Sequence, residues 1–233
     1  MALPFFYEEF EANGVITLQD STQHYMLQVL RMREGEEFIL TNGKGLKADC
    51  TLEQVEKKRC SLNVRHIVRV EKPKRYLHLA ISFTKNPARM EWLLEKATEL
   101  GIEEITPLIS ARSEKHFLKR ERFEKILQSA MLQSQQFYLP LLNEPTRFHS
   151  MLSKSSDCKL IAHCLQEEKT HPLQWIQREK SCLILIGPEG DFTSEEVDMA
   201  LKQGFTSVSL GNTRLRTETA GLLSCAYYQS QQF

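Results

Sequence analysis

Hydrophobic positions along this chain follow two rhythms, and the change falls near residue 72. In the first part apolar and polar positions alternate with period two. The segment Glu37-Phe38-Ile39-Leu40, residues 46–55 and residues 61–70 read as strands. In the last of them Leu62, Val64 and Ile67 are interrupted by Asn63, Arg65 and His66. Residues 13–18 read as a further short strand. Asp20 or Ser21 would cap a short helix carrying Tyr25, Leu27 and Leu30. Asn42-Gly43, with Gly45 close behind, signals a tight turn. Several short strands and one short helix predict a small β-barrel. Lys72-Pro73-Lys74-Arg75 breaks the strand pattern and reads as a linker. The expected domains are therefore 1–71 and 76–233.

After the linker, strands alternate with helices. Residues 77–83 and 105–109 read as strands. Between them Pro87 opens a helix whose apolar stripe is Met90, Leu93, Leu94, Ala97 and Leu100, and Gly101 ends it. A helix from about 119 to 137 presents Phe123, Ile126, Leu127, Ala130 and Met131, with Pro140 as its stop. A strand at 158–163 and a short helix at 173–178 follow. Two apolar runs then each stop at a glycine. The run 183–186 ends at Gly187-Pro188-Glu189-Gly190, and the run 207–210 ends at Gly211. Thr193 to Glu196 fits the capping-box spacing, so a helix starts just past the first loop. Such alternation predicts an α/β domain with a parallel sheet, whose ligands bind at the loop end of the strands.

Composition narrows the class without choosing a partner. The 233 residues are 41% hydrophobic and 26% charged, typical of a soluble globular chain with a core. Thirty basic residues balance thirty acidic ones, so any nucleic-acid surface must be local. One local concentration exists: Lys57, Lys58, Arg59, Arg65, Arg69, Lys72, Lys74 and Arg75. It fits either a solvated packing domain or an RNA-facing one. The start of the chain lacks a signal-peptide pattern, and no run suits a membrane span. The six cysteines form no C-x-x-C pair and read as reduced, buried and cytoplasmic. His163 and Cys164 are neighbours on a strand and face opposite ways, so no metal site is expected.

The two glycine loops carry the chemistry. No P-loop, no G-x-G-x-x-G after the strand at 77–83 and no G-x-S-x-G elbow is present. Arg214, Arg216 and Glu218 crowd the start of the last helix. Two arginines do not suit the positive end of a helix dipole unless an anionic or carbonyl-bearing partner is there. Gly187-Pro188-Glu189-Gly190, together with Leu210-Gly211 and the run Leu215-Arg216-Thr217-Glu218-Thr219-Ala220, resembles the RsmE family of the SPOUT superfamily. Lys96-Ala97-Thr98-Glu99-Leu100-Gly101-Ile102 with Ile105-Thr106-Pro107-Leu108 resembles that family's first helix and second strand. His24 with Leu30-Arg31-Met32 resembles its N-terminal PUA-like domain. The likeness covers nearly the whole chain.

The resemblance implies an S-adenosylmethionine-dependent methyltransferase acting on N3 of one uridine of 16S rRNA in the 30S subunit. It implies a trefoil-knotted SPOUT domain after a PUA-like barrel, and a homodimer that completes the site. It places the methyl donor against Leu165, Ile186, Gly187, Glu189, Gly190, Leu210, Gly211, Leu215, Thr219 and Ala220. Arg31, Lys58, Arg59 and Arg65 become the RNA-facing cations, and no metal is needed. Uracil N3 holds its proton at neutral pH, so a base or an anion-stabilising donor is required. Arg216 can stabilise the anion at O2 or O4. Glu218 can take the proton, fix Arg216, or simply complement the helix dipole. The chain departs from relatives at Pro4-Phe5-Phe6-Tyr7, at Gln28 and at Leu132-Gln133-Ser134-Gln135-Gln136, where arginine or acidic residues are frequent. The alternatives are a non-catalytic RNA-binding assembly factor on the same fold, or a SPOUT enzyme acting on tRNA.

Overall fold

The computed structural model describes residues 3–12, 16–56, 59–114, 119–166, 168–178 and 180–232. It divides into two compact units. One comprises residues 1–72 with 131–139, the other 73–130 with 140–233.

The first unit is a four-stranded sheet in the order β1-β2-β3-β4. Its strands are β1 (Phe5–Tyr7), β2 (Glu37–Thr41), β3 (Leu46–Val55) and β4 (Cys60–Arg69). β1 runs parallel to β2, and the other pairs are antiparallel. Period-two alternation in β3 buries Leu46, Ala48, Cys50 and Leu52 on one face, against Phe6, Met26, Phe38 and Leu40. Three expectations need correction here. Of the strand expected at 13–18, residues 13–15 lie outside the described residues. Ile16 and Leu18 belong to no strand, though both are buried in this core. The short helix is α1 (Asp20–His24), continued by a π-helical turn (Tyr25–Val29). That turn rotates the inward position to Met26, so Tyr25 and Leu30 are 48% and 43% exposed rather than core. The segment Phe5–Tyr7, read only as a non-signal start, is a strand.

The second unit holds seven parallel strands in the order β11-β9-β10-β5-β6-β7, with β8 also on β6. In chain order they are β5 (Tyr76–Ile81), β6 (Glu104–Ile109), β7 (Leu141–Leu142), β8 (Thr146–Arg147), β9 (Cys158–Ala162), β10 (Ser181–Ile186) and β11 (Thr206–Val208). The helices are α2 (Pro87–Glu99), α3 (Arg120–Gln133, its last turn counted with the first unit), α4 (Phe148–Leu152), α5 (Ser194–Lys202) and α6 (Thr217–Ser230). The central strands are buried on both faces, which explains their continuous apolar sequence.

Local chemistry fixes the helix ends. Asn86 Oδ1 accepts from the Ala88 and Arg89 N–H groups and caps α2. Thr193 and Glu196 form the full capping box of α5. α3 ends before Pro140, because Gln135 is left-handed (φ 55) and the Gln135 and Gln136 N–H groups return to Leu132 and Met131. The helix expected at 173–178 is a single 3-10 turn (Pro172–Gln174). The strand expected at 207–210 is Thr206–Val208, which releases Ser209 and Leu210 into the loop. All six cysteines are free thiols, but only Cys50, Cys182 and Cys225 are buried, and Cys164 is exposed.

One close approach decides where α6 lies. A Cβ on Gly221 would sit 2.6 Å from Ile81 Cδ1 and 3.2 Å from Leu93 Cδ1. Glycine therefore lets α6 press directly onto β5 and α2. The buried face of α6 is Gly221, Ser224, Cys225 and Tyr228. Leu222, Leu223, Ala226 and Tyr227 are half-buried beside it. None of the helices among the described residues is long and apolar enough to cross a membrane.

Candidate active site

The strand register builds the site. Ala162 of β9 pairs with Ile186 of β10 on one side and with Val208 of β11 on the other. Three parallel strands thus end in one row, and the loops that follow them leave the sheet together. This is the carboxyl edge at which open parallel sheets bind ligands. A cavity of about 1040 Å³ lies there, walled by the segment from His163, by residues 186–191, by 208–217 and by Arg89, Arg112 and Ala220.

Short hydrogen bonds hold the three loops in shape. At Gly187 a Cβ would lie 3.2 Å from the Phe192 nitrogen, so any side chain there would crowd the Pro188 turn as it folds back. The turn closes through Asp191 N–H to Pro188 O at 2.9 Å. Asp191 itself is left-handed (φ 62), and its carboxylate accepts from Cys164 N–H at 2.7 Å and from Phe192 N–H at 2.8 Å. It therefore straps the loop after β10 to the loop after β9. Arg112 donates to Gly190 O at 2.7 Å from outside the turn. Lys169 closes the loop after β9 by donating to His163 O and Leu165 O. Thr217 Oγ1 donates to Gly187 O at 3.3 Å, joining the start of α6 to the first glycine loop.

Charge divides the wall into committed and uncommitted groups. Lys169 and Arg112 are spent on backbone carbonyls. Arg89 lies 3.0 Å from Glu189 Oε1 through Nη1 and 3.6 Å from Glu218 Oε1 through Nε. Arg214 and Arg216 are exposed, and among the described residues their guanidinium groups make no hydrogen bond or ion pair. Arg216 is the N-cap residue of α6, with extended backbone (φ −74, ψ 156).

Of the ten residues placed against the methyl donor by resemblance, nine line this cavity: Leu165, Ile186, Gly187, Glu189, Gly190, Leu210, Gly211, Leu215 and Ala220. Thr219 does not line it and faces solvent. Arg216 lines it, whereas Glu218 does not. Glu218 is 6% exposed and pairs with Arg89 rather than Arg216. In the first unit Arg31 (φ 55) and Arg59 are exposed. Arg65 is exposed but ion-paired to Glu37 at 2.6 Å. Lys58 lies outside the described residues. Sequence reasoning missed Arg89, Arg112, Asp191, Lys169 and Cys164. Arg89 stands a hundred residues from Glu189, and no local motif announces such a contact.

A parallel sheet with glycine loops at one carboxyl edge, in a chain that also carries a mixed four-stranded β unit, defines an RNA methyltransferase with a PUA domain. The family model of the RNA methyltransferase domain matches residues 70–229, and that of the RNA methyltransferase PUA domain matches residues 18–65. Within that class the chain belongs to the ribosomal RNA small subunit methyltransferase E family. It is 28% identical over 240 residues to that enzyme of Bacillus subtilis, covering 96% of this chain and 94% of the relative. The crystal structure of the Neisseria gonorrhoeae ribosomal RNA small subunit methyltransferase E bound to S-adenosyl methionine is 30% identical, with a TM-score of 0.82 and coverage of 99% and 98%. A probable rRNA-methyltransferase from Porphyromonas gingivalis is 37% identical, with a TM-score of 0.91 and the same coverage. The α/β class with an N-terminal PUA-like domain is thus the observed one.

Proposed function

We propose that this protein transfers a methyl group from S-adenosylmethionine to N3 of one uridine of 16S rRNA, working on the small ribosomal subunit in the cytoplasm as a homodimer. The observation that carries this reading is the pair of uncommitted arginines, Arg214 and Arg216, on the wall of a cavity built from three strand-end loops. Family membership supports the reaction class, and the donor bound in the Neisseria gonorrhoeae relative supports the donor. The partly exposed strip Leu222, Leu223, Ala226 and Tyr227 on α6 supports a second copy as partner. The knot belongs to the same reading.

The cavity suits the donor on its own terms. It is of the size that small-molecule sites have. At Gly187 a side chain would crowd Phe192, which keeps the inner turn close. Leu165, Ile186, Gly187, Glu189, Gly190, Leu210, Gly211, Leu215 and Ala220 would hold the donor, with Thr219 supporting the helix turn behind them. When bound, S-adenosylmethionine supplies an electrophilic methyl group on a sulfonium, leaving as S-adenosylhomocysteine. The chain's own residues prepare the acceptor. Uracil must lose its N3 proton before the N3 lone pair can attack, and the resulting charge spreads onto O2 and O4. Arg216, whose guanidinium has no hydrogen-bond or ion-pair partner among the described residues, donates to that charge, and the proton leaves to water. Glu218 is turned away from the cavity and serves the wall rather than the proton. Arg31, Lys58, Arg59 and Arg65 contribute charge toward the rRNA backbone.

Calorimetric titration with S-adenosylmethionine tests the seat of the donor. The protein binds it, and Gly187→Val abolishes binding by driving a side chain into Phe192 while the thermal midpoint shows a folded chain. Absence of binding by the unmodified protein, or equal binding by the variant, overturns the reading.

A further inference from the structure

We propose that Arg89 is a positioning residue that ties the Gly187–Gly190 loop to the first turn of α6 through two carboxylates, and thereby sets the shape of the donor's wall. This rests on the function proposed above and assigns a role that the loop motifs do not contain.

Arg89 is well placed to be rigid. It sits in the first turn of α2, where Asn86 caps its N–H, and the next residue, Met90, is buried in the core. Its guanidinium then reaches two elements whose other direct side-chain tie is the long Thr217 Oγ1 to Gly187 O bond of 3.3 Å. Glu189 is the one acid inside the glycine loop, and its side chain is 66% exposed. Glu218 belongs to the first turn of α6, and its side chain is 8% exposed. An exposed pair such as Arg89–Glu189 adds little to stability by itself. A pair that reaches a buried carboxylate differs, because removing the cation leaves a desolvated charge without a partner.

The carboxylate of Glu218 also behaves unlike a structural one. Oε1 faces Arg89 at 3.6 Å, beyond hydrogen-bond length, and the buried Oε2 has no hydrogen-bond partner among the described residues. Buried polar atoms in a finished structural network are normally satisfied. Here one guanidinium serves two acids, through Nη1 and Nε, and the elements they belong to are two of the cavity walls. Thr217 Oγ1 to Gly187 O is the one direct side-chain hydrogen bond between those walls among the described residues. Arg89 is thus the charged half of a two-point link, and the loop it fixes is the one expected to hold the donor.

The test is calorimetric titration of the full-length protein with S-adenosylmethionine, alongside thermal midpoints and steady-state kinetics. Arg89→Met should raise Kd for the donor about 10-fold, about the size of one lost charge-assisted contact, with KM for the donor rising more than kcat falls. Arg89→Lys should recover part of the loss, because it keeps the charge without the fork. Glu189→Gln should weaken binding about 3-fold alone and have no further effect beside Arg89→Met, since coupled residues do not act additively. Glu218→Gln should partly restore binding to Arg89→Met by removing the unpaired carboxylate. The inference is overturned if Arg89→Met binds within 2-fold of the unmodified protein, or if the Arg89 and Glu189 effects multiply. If Arg89→Met does not fold, Glu189→Gln and Arg89→Lys decide the matter by the same coupling. Failure of the unmodified protein to bind the donor would instead overturn the proposed function.

Discussion

Two buried carboxylates at opposite ends of the same sheet show what separates scaffold from site. Glu104 stands at the start of β6, at the amino edge. Tyr76 OH donates to its Oε2 at 2.6 Å, Asn143 Nδ2 donates to its Oε1 at 2.5 Å, and His78 Nδ1 lies 3.5 Å away. His78 Nε2 in turn meets Thr106 Oγ1, which also accepts from Asn143. Every oxygen is satisfied, and the network ties β5, β6 and the segment after β7 together. Glu218 stands past the carboxyl edge with one oxygen unpartnered among the described residues and one cation shared with Glu189. Both groups bear the cost of burial. Only the first has that cost fully offset within the fold, and unsatisfied groups of this kind gather where a protein binds or reacts.

The comparison can be broken most sharply at the carboxyl edge. Arg216→Ala should lower kcat for methyl transfer by about 10²-fold or more, the scale of losing one preorganised donor to a developing anion. Donor affinity and the thermal midpoint should change little, because the Arg216 guanidinium makes no hydrogen bond or ion pair among the described residues. Equal kcat in the variant would remove the arginine from the chemistry.

At the amino edge the readout is stability instead. Glu104→Ala should cost about 3 kcal/mol in urea unfolding, because Tyr76, Asn143 and His78 lose a shared acceptor. Its effect on donor affinity should be small. The same network gives an acid dependence with a definite sign. Burial lowers the pKa of His78 below its ordinary 6.5, against the pull of Glu104. Burial pushes Glu104 up, but the hydrogen bonds from Tyr76 and Asn143 outweigh it and leave the carboxyl below its ordinary 4.5. In both cases the unfolded chain binds protons more readily than the fold. Their stabilisation is therefore complete above 6.5, and it declines as pH falls through 6.5 and on below 4.5. Below 4.5 urea midpoints should fall more steeply for the unmodified protein than for Glu104→Ala, whereas between 6.5 and 4.5 the variant should fall at least as steeply, because its His78 has lost the upward pull of Glu104. Parallel slopes would mean that the network does not titrate.

The smallest expected effect distinguishes strap from strain. Asp191→Gly removes the carboxylate that bridges the two loops but suits a left-handed residue better. Thermal stability should fall by about 1 kcal/mol, because the two hydrogen bonds lost and the freer unfolded chain outweigh the relief of the left-handed φ. Donor affinity should fall a few-fold by calorimetry. Unchanged affinity would leave Asp191 as a turn residue only.

How much of this could be read from the chain depended on distance along it. The Thr193–Glu196 capping box, the Asn86-Pro87 helix start and the apolar stripe of α2 are local, and each is visible in a handful of residues. The glycine corner at 187–190 is legible because a glycine at the end of an apolar run marks a tight turn, here the one against Phe192. The alternating pattern of β3 and β4 needs no partner to be recognised. The misses have the opposite character. Phe5–Tyr7 is too short to show a rhythm and becomes a strand only by pairing with β2. Tyr25 and Leu30 follow a helical spacing that the π-helical turn displaces. Gln135 ends α3 through a left-handed turn that glutamine does not advertise. The charge partners of the site are farther apart still: Arg89 reaches Glu189 and Glu218 only because Gly221 lets α6 lie against α2. Sequence therefore locates the glycine loops of the donor's seat, while the groups that brace them emerge from the fold.

The most direct measurement uses small ribosomal subunits lacking the modification, incubated with the protein and methyl-labelled S-adenosylmethionine, with the RNA then digested and analysed by mass spectrometry. The predicted result is 3-methyluridine at one position of 16S rRNA, in near-stoichiometric yield, with no label in tRNA offered alongside. Label in tRNA, a different methylated nucleoside, or no transfer by a protein that binds the donor would contradict it.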